Sequence, residues 1–301
     1  MSVNLASIVE RAAILLLKGA TTMLPLDVKQ ALEHAREIED NPLAIAQFNA
    51  ILKNVQIAEN EGIPMCQDTG LIIFYVSLGE NFPLKGSIYN VLRNATIKAT
   101  KEIPLRPNAV DIVTKRNSGD NTGRFVPWIE LEIVPDSDIL EITAFPKGGG
   151  SEAPCIAKVL SPAQGLKGVK KLVVDVVAEA AAKPCPPLSI GVGIGGTSDI
   201  AMKLAKKALL RPVGVRHENP FIAKLESELL ELVNLLGIGP HGVGGKTTAL
   251  TVNVEYAHRH PAAYPVAVAF NCWAARRSKM KIYSNGDVEF VTHKQLNELW
   301  R

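Results

Sequence analysis

The 301-residue chain lacks any apolar run approaching the ~20 residues that a membrane-spanning helix requires. The longest candidates, residues 172–182 and 266–270, are short or carry Asp175 and Glu179. A mean hydropathy of +0.12 therefore points to a subunit interface rather than to a bilayer. Charge of one sign is missing too: Lys+Arg 33 against Asp+Glu 30 leaves +3, with both signs mixed along the chain. That excludes the basic stripe of a dedicated nucleic-acid binder. The first eleven residues lack the charged-then-apolar order of a secretory leader and are interrupted by Glu10 and Arg11. They read as the start of an amphipathic helix in a cytoplasmic protein. Internal repeats and low-complexity tracts are also lacking. At this length a chain buries about 75% of its unfolded surface and needs no disulfide staples.

Cysteine is scarce and widely spread, at Cys66, Cys155, Cys185 and Cys272. No pair has CxxC spacing, which removes zinc ribbons and thioredoxin-type redox motifs. Four buried thiols acting as small apolar residues are one reading. The neighbours supply another. Cys66 lies in a polar turn (IPMCQDTG), Cys185 stands among prolines (KPCPP), and Cys272 ends an apolar run. Thiols on rigid loops at element ends suit a metal site built from distant segments, an iron–sulfur cluster included.

Hydrophobic periodicity predicts a helical first sixty residues: one helix from Leu5 stopped by Gly19, then 27–39 and 43–61. Strands are expected at 71–78, 128–134, 139–145, 188–192, 248–254 and 265–272. Helices are expected at 87–101, 168–182, 198–210, 219–236 and 293–300. A hairpin is expected around Asn285-Gly286, a type I′ signal. Helix and strand mix without strict alternation. The expected class is α+β, mixed sheets surrounded by helices with a helical N-terminal region. A single domain over 1–301 is expected, with a subdomain break near 135–150.

Three glycine-rich segments invite functional readings. GVGIGG at 191–196 satisfies GxGxxG between a strand and a helix, but no later strand ends in a suitably placed acid. A helix N-terminus behind it still offers N–H groups to a carboxylate or a cluster sulfide. GPHGVGGKT at 239–247 resembles a Walker A loop with the wrong spacing and Pro240 at a critical position. It reads as a plain glycine turn or as an anion pocket with Lys246. Lys147 precedes the third, GGGSE at 148–152. Together with Arg106, held between prolines in PLRPN, these segments suggest a small anionic substrate.

Seven motifs then occur in order: MCQDTG (65–70), PLRPN (104–108), NTG (121–123), KGGGSE (147–152), CPP (185–187), GVGGKTTAL (242–250) and CWAARR (272–277). This set resembles the class I, iron–sulfur-dependent fumarate hydratases and their tartrate dehydratase relatives. The resemblance implies an α (N-terminal, cluster-binding) subunit that works with a separate β subunit, in an α2β2 assembly and inactive alone. It implies a [4Fe-4S] cluster held by Cys66, Cys185 and Cys272 with one iron open to substrate; Cys155 has no counterpart among those ligands and would be a fourth thiol near the cluster or, the preferred reading, simply buried. It implies that Gln67 and Asp68 contact substrate, with Asp68 the candidate proton-transfer group, and that Arg106 grips a carboxylate; Asp68 could instead merely cap the turn through Thr69, a common role for Asp. Gly149, Ser151 and Glu152 would line the pocket, and His260 would be a further contact or an ordinary turn histidine. Lys246 and Arg276 rank below these. The GGGSE and GGKTTAL runs lean toward hydration of fumarate to (S)-malate, with L-tartrate dehydration the near alternative. A non-catalytic iron–sulfur redox or scaffold subunit, or a binding module without a cluster, are the readings from other classes.

Overall fold

The computed structural model describes residues 4–84 and 86–300. In chain order the elements are α1 (Leu5–Thr22), α2 (Leu26–Glu37), α3 (Pro42–Glu61), β1 (Leu71–Gly79), α4 (Ile88–Glu102), β2 (Trp128–Val134), β3 (Ile139–Lys147), α5 (Gly149–Glu152) and β4 (Ile156–Leu160). There follow α6 (Gly165–Ala180), β5 (Leu188–Gly196), α7 (Ser198–Ala208), α8 (Pro220–Asn234), β6 (Ala249–Arg259), β7 (Tyr264–Asn271), β8 (Ser278–Tyr283), β9 (Val288–Phe290) and α9 (Leu296–Trp300). The fold is α+β. It comprises two compact units, each discontinuous in sequence. The first takes the segment ending at Leu26, Asn54–Gly148, and the segment from Arg276 onward; the second takes Asp27–Lys53 and Gly149–Ala275.

The first unit is a sheet of order β2-β1-β3-β8-β9, with β1 and β2 parallel and the other pairs antiparallel. One face carries Leu140, Ile142, Ala144, Met280 and Ile282, all buried against α1 and α4. Alternation in β3 and β8 produces that face, because successive strand residues point to opposite sides. Helix α1 supplies its stripe from Leu5, Val9, Ala12, Ala13, Leu16 and Leu17. It runs past Gly19, the expected stop. A Cβ at Gly19 would stand 2.7 Å from Leu296 Cδ1, so this glycine serves close packing of the C-terminal segment rather than termination. The hairpin of β8 and β9 is present, but its loop is longer than type I′ and only Gly286 takes a positive φ.

On the other face Glu141 Oε2 meets Lys279 Nζ at 2.6 Å and Oε1 meets Lys281 Nζ at 3.2 Å. Burial pushes the Glu141 carboxyl up, but the two ammonium groups outweigh it and hold the carboxyl below its ordinary value. A depressed folded value contributes stability above the ordinary carboxylate range, about pH 4.3, and loses it as pH falls through the folded value. Glu141→Gln is therefore expected to flatten the acid limb of the stability curve, read as urea midpoints against pH. Parallel acid limbs for the two proteins would show that the lysine pair adds nothing.

The second unit is a sheet of order β4-β7-β5-β6, antiparallel except for the β5–β6 pair. Ile190, Val192 and Ile194 join the core that α6 and α8 complete with Val173, Val177, Leu225 and Leu229. The alternate positions of β5 are Gly191 and Gly193, and there α7 packs directly on the strand. A Cβ at Gly193 would lie 1.9 Å from the Ala201 carbonyl oxygen, and one at Gly191 2.0 Å from that of Ala205. The GVGIGG run is thus a strand to its end, four residues longer than the sequence suggests, and its glycines admit a helix backbone rather than a pyrophosphate. The short edge strand β4 lies outside the sequence expectations.

Candidate functional site

In the first unit the MCQDTG segment forms the turn into β1. Met65 is buried and held at both polar ends: its N–H donates to the Thr21 carbonyl at 3.0 Å, and its carbonyl accepts from Asn54 Nδ2 at 2.8 Å. Cys66 is partly exposed and Gln67 exposed. Asp68 Oδ1 accepts the Gly70 N–H at 3.0 Å, closing an Asx turn. Gly70 at φ +87° then brings the turn against the end of β3, where a Cβ would lie 2.8 Å from the Lys147 nitrogen. The PLRPN segment packs beside this turn. Asn108 Nδ2 reaches the Gly70 carbonyl at 3.2 Å, Thr69 Oγ1 at 3.4 Å and Asp68 Oδ1 at 3.5 Å. Buried Asn121 braces the segment through the Asn108 N–H at 2.7 Å and the Arg106 carbonyl at 3.2 Å. The Arg106 backbone is therefore fixed while its side chain stays exposed. Arg276 Nη1 donates to the Asp68 carbonyl. Asn108 and Arg276 are the members that sequence reasoning undervalued. Asn108 sits inside a quoted motif without a role, and Arg276 ranks below the other candidates.

In the second unit strand direction brings several candidates to one end of the sheet. Ser189 pairs with Asn271, so Cys185 before β5 and Cys272 after β7 lie at the same edge. The Trp273 N–H donates to the Cys185 carbonyl at 3.0 Å, joining the two loops backbone to backbone. Cys185 takes φ 55° in its turn and its side chain is exposed. Ile156 pairs with Val268, which places α5, and so Gly149, Ser151 and Glu152, toward that edge as well. A Cβ at Gly150 would be 3.6 Å from the Lys183 carbonyl oxygen, in the Cys185 loop. Ser151 is buried, and Glu152 Oε1 is tied to Lys206 Nζ at 2.7 Å.

His260 is not brought to this edge. It follows β6 and precedes β7, whose eight residues span about 26 Å from that turn to the Cys272 end. Its Nδ1 accepts the Ala262 N–H at 3.1 Å within the turn.

Two of the glycine segments lose their anion-site readings. The Lys246 N–H donates to Glu39 Oε2 at 2.8 Å and Lys246 Nζ meets Asp40 Oδ2 at 2.7 Å, so the loop already holds acids of the same unit. The hydrogen bond from Lys246 keeps the Asp40 carboxyl below its ordinary value. At the N-terminus of α7 the chain's own Asp199 occupies the first turn, bonded to Thr197 Oγ1, and that bond holds its carboxyl low.

All four cysteines are thiols, none in a disulfide. Cys155 differs from the others. Its Sγ–H donates to the Ser151 carbonyl at 3.3 Å and it packs against the core of the second unit. Cys155 is nonetheless partly exposed, like Cys66 and Cys272, and not simply buried as expected; Cys66, Cys185 and Cys272 sit on loops, with Cys185 exposed. As donors these three suit an iron–sulfur cluster, which thiolates hold. Among the described residues no group of three or more His, Cys, Asp or Glu gathers as a metal-ion cage.

The sequence matches the family described as Fumarate hydratase (Fumerase) over residues 10–281. The chain belongs to this family. Fumarate hydratases are hydro-lyases, so the chain's chemistry is of the lyase class. It is similar to a Methanocaldococcus jannaschii protein provisionally named as an L(+)-tartrate dehydratase subunit alpha, 45% identical over 270 residues, covering 89% of this chain and 95% of that one. It is also similar to the L(+)-tartrate dehydratase subunit alpha of Escherichia coli UTI89, 41% identical, and of strain K12, 40% identical, each over 91% of this chain and 90% of the relative.

Proposed function

We propose that this chain is the cluster-binding subunit of a two-subunit hydro-lyase that removes water from L(+)-tartrate. The observation that carries the substrate is the 45% identity, nearly end to end, to a relative named for that activity. The chemistry rests on the Asp68 turn. Hydration of fumarate to (S)-malate is the second reading, favoured by the GGGSE and GGKTTAL runs.

Both reactions break or make a C–H bond next to a carboxylate and a C–O bond at the neighbouring carbon. Negative charge builds on the carboxylate when the proton leaves, so the site needs a base, a cation and a way to accept hydroxide. Asp68 is the base of this proposal. Its Oδ1 accepts from the Gly70 N–H and from Asn108 Nδ2, which orients the carboxylate that takes the substrate proton. The Arg106 fork grips a substrate carboxylate in two parallel hydrogen bonds. Gln67, exposed one residue before Asp68, hydrogen-bonds the substrate. Cys66, Cys185 and Cys272 hold a [4Fe-4S] cluster, which when bound supplies a Lewis acid for the carboxylate and the departing hydroxyl. Gly149, Ser151 and Glu152 line the substrate pocket; His260, at the far end of β7 and bonded within its own turn, is given no part in it.

A separate β subunit, in an α2β2 assembly, supplies the remaining carboxylate grip and acid. The naming of the relatives as alpha subunits supports this. So does the loop before β2, where Ile112, Val113 and Phe125 are each at least 70% exposed. Among the described residues no helix is long and apolar enough to cross a membrane. Four reduced thiols suit the cytoplasm.

The test is anaerobic co-expression with the β subunit and turnover on L-tartrate, fumarate and malate. A site that hydrogen-bonds the second hydroxyl is expected to favour L-tartrate in kcat/KM by about 100-fold or more. Faster turnover of fumarate selects the second reading. A cluster-loaded complex inert to all three is a redox or scaffold subunit.

A further inference from the structure

Arg276 is buried, 4% exposed, and stands two residues before β8 in the first unit. A guanidinium taken out of water is costly unless its donors are used. Here Nη1 is spent on the Asp68 carbonyl, while Nε is buried without a hydrogen-bond partner. Such an expense is seldom retained for packing alone, since an apolar side chain would fill the volume at less cost. Gly148 shows what the guanidinium faces. A Cβ there would lie 3.0 Å from Arg276 Nη2 and 3.1 Å from Asp68 Oδ2. The guanidinium end and the carboxylate oxygen therefore flank one small space that only glycine leaves open.

We infer that Arg276 is a positioning residue for Asp68. It fixes the turn by the backbone carbonyl and, across the space above Gly148, sets the direction of the carboxylate. The inference rests on the reading of Asp68 as the proton-transfer group. It assigns Arg276 no contact with substrate, which distinguishes it from Arg106.

The test uses the co-expressed complex and four variants: Asp68→Asn, Arg276→Lys, Arg276→Ala and the double variant Asp68→Asn/Arg276→Ala. Cluster absorbance and the reduced EPR spectrum are recorded for each before kinetics. Asp68→Asn is expected to lower kcat by about 100-fold or more. Arg276→Ala is expected to lower kcat by a similar factor with KM within about threefold, the mark of an interaction that matters in the transition state. Arg276→Lys, which keeps the charge but not the fork, should recover part of the loss. The double variant should be no slower than Asp68→Asn alone, because Arg276 acts through that carboxylate. Losses that multiply in the double variant, or a raised KM with kcat intact, would overturn the inference. Should Arg276→Ala fail to fold, Gly148→Ala makes the same point: its methyl enters the space between guanidinium and carboxylate and should lower kcat without removing the cluster. An unchanged kcat in Gly148→Ala would equally overturn the inference. If Asp68→Asn itself keeps full activity, the role given to Asp68 fails, and that failure is read independently of Arg276.

Discussion

Serine at Cys66, Cys185 or Cys272 is expected to abolish cluster assembly in anaerobically reconstituted protein, whereas serine at Cys155 leaves it intact. A hydroxyl keeps the shape of the thiol but stays protonated near neutral pH and is a harder donor, so iron loses a ligand. The Cys185 loop makes the comparison clean. Its side chain is exposed and the loop is held by backbone bonds, Cys185 N–H to the Ala182 carbonyl and Trp273 N–H to the Cys185 carbonyl, each 3.0 Å. The fold should survive the substitution with an unchanged melting temperature. Cys155 instead gives its proton to the Ser151 carbonyl and packs on the core. Its serine variant should lose some stability and no iron. Iron and sulfide content with visible absorbance decide the matter. Loss of the cluster in Cys155→Ser, or its retention in Cys185→Ser, would reassign the ligands.

Gly193→Ala is expected to be the most damaging single-methyl change in the second unit. The new Cβ would sit 1.9 Å from the Ala201 carbonyl oxygen and 2.7 Å from the Ala205 nitrogen, both helix backbone that cannot swing away as a side chain could. Helix α7 must lift off β5, at a cost of about 3 kcal/mol. In a chain of 301 residues that lowers the melting temperature by roughly 5 °C. Gly119→Ala is the control, because open space surrounds that glycine and only its positive φ is strained. An unchanged melting temperature for Gly193→Ala would mean that the glycines do not set the helix-to-strand distance, and a nucleotide-loop reading of GVGIGG would have to be reopened.

Periodicity made most elements legible because their faces are buried in regular patterns, as in α1 and in β3, where Leu140, Ile142 and Ala144 alternate inward. It failed where glycine does a tertiary job. Gly19 looks like a helix stop and is a packing gap; Gly193 looks like a loop and is mid-strand. Neither role exists until a distant segment arrives. Strand β4 escaped because its outward residues read as nothing in particular, with Ile156 and Val159 exposed at the sheet edge. The composition of the two units was equally hidden, since the crossing points at 26, 53 and 275 carry no local signal that a contact pattern changes.

The candidate site was legible through motifs rather than through periodicity. Thiols, an Asx turn and a proline-held arginine are chemically marked in the sequence. Asn108 was not, because an asparagine in a loop declares its partners only when the Gly70 carbonyl and Asp68 lie beside it. Lys246 misled for the opposite reason. Its glycine surroundings suggest an anion, and the anion is supplied by Asp40 and Glu39 from the segment joining α2 to α3.

The central claim, an iron–sulfur hydro-lyase subunit with substrate at the cluster, is tested most directly by EPR. The reduced spectrum of the anaerobically reconstituted complex with its β subunit would be recorded alone and with L-tartrate, fumarate or malate. The account predicts a cluster signal whose g-values change with a turned-over dicarboxylate. A complex that assembles no cluster, or a signal indifferent to all three acids, would contradict it.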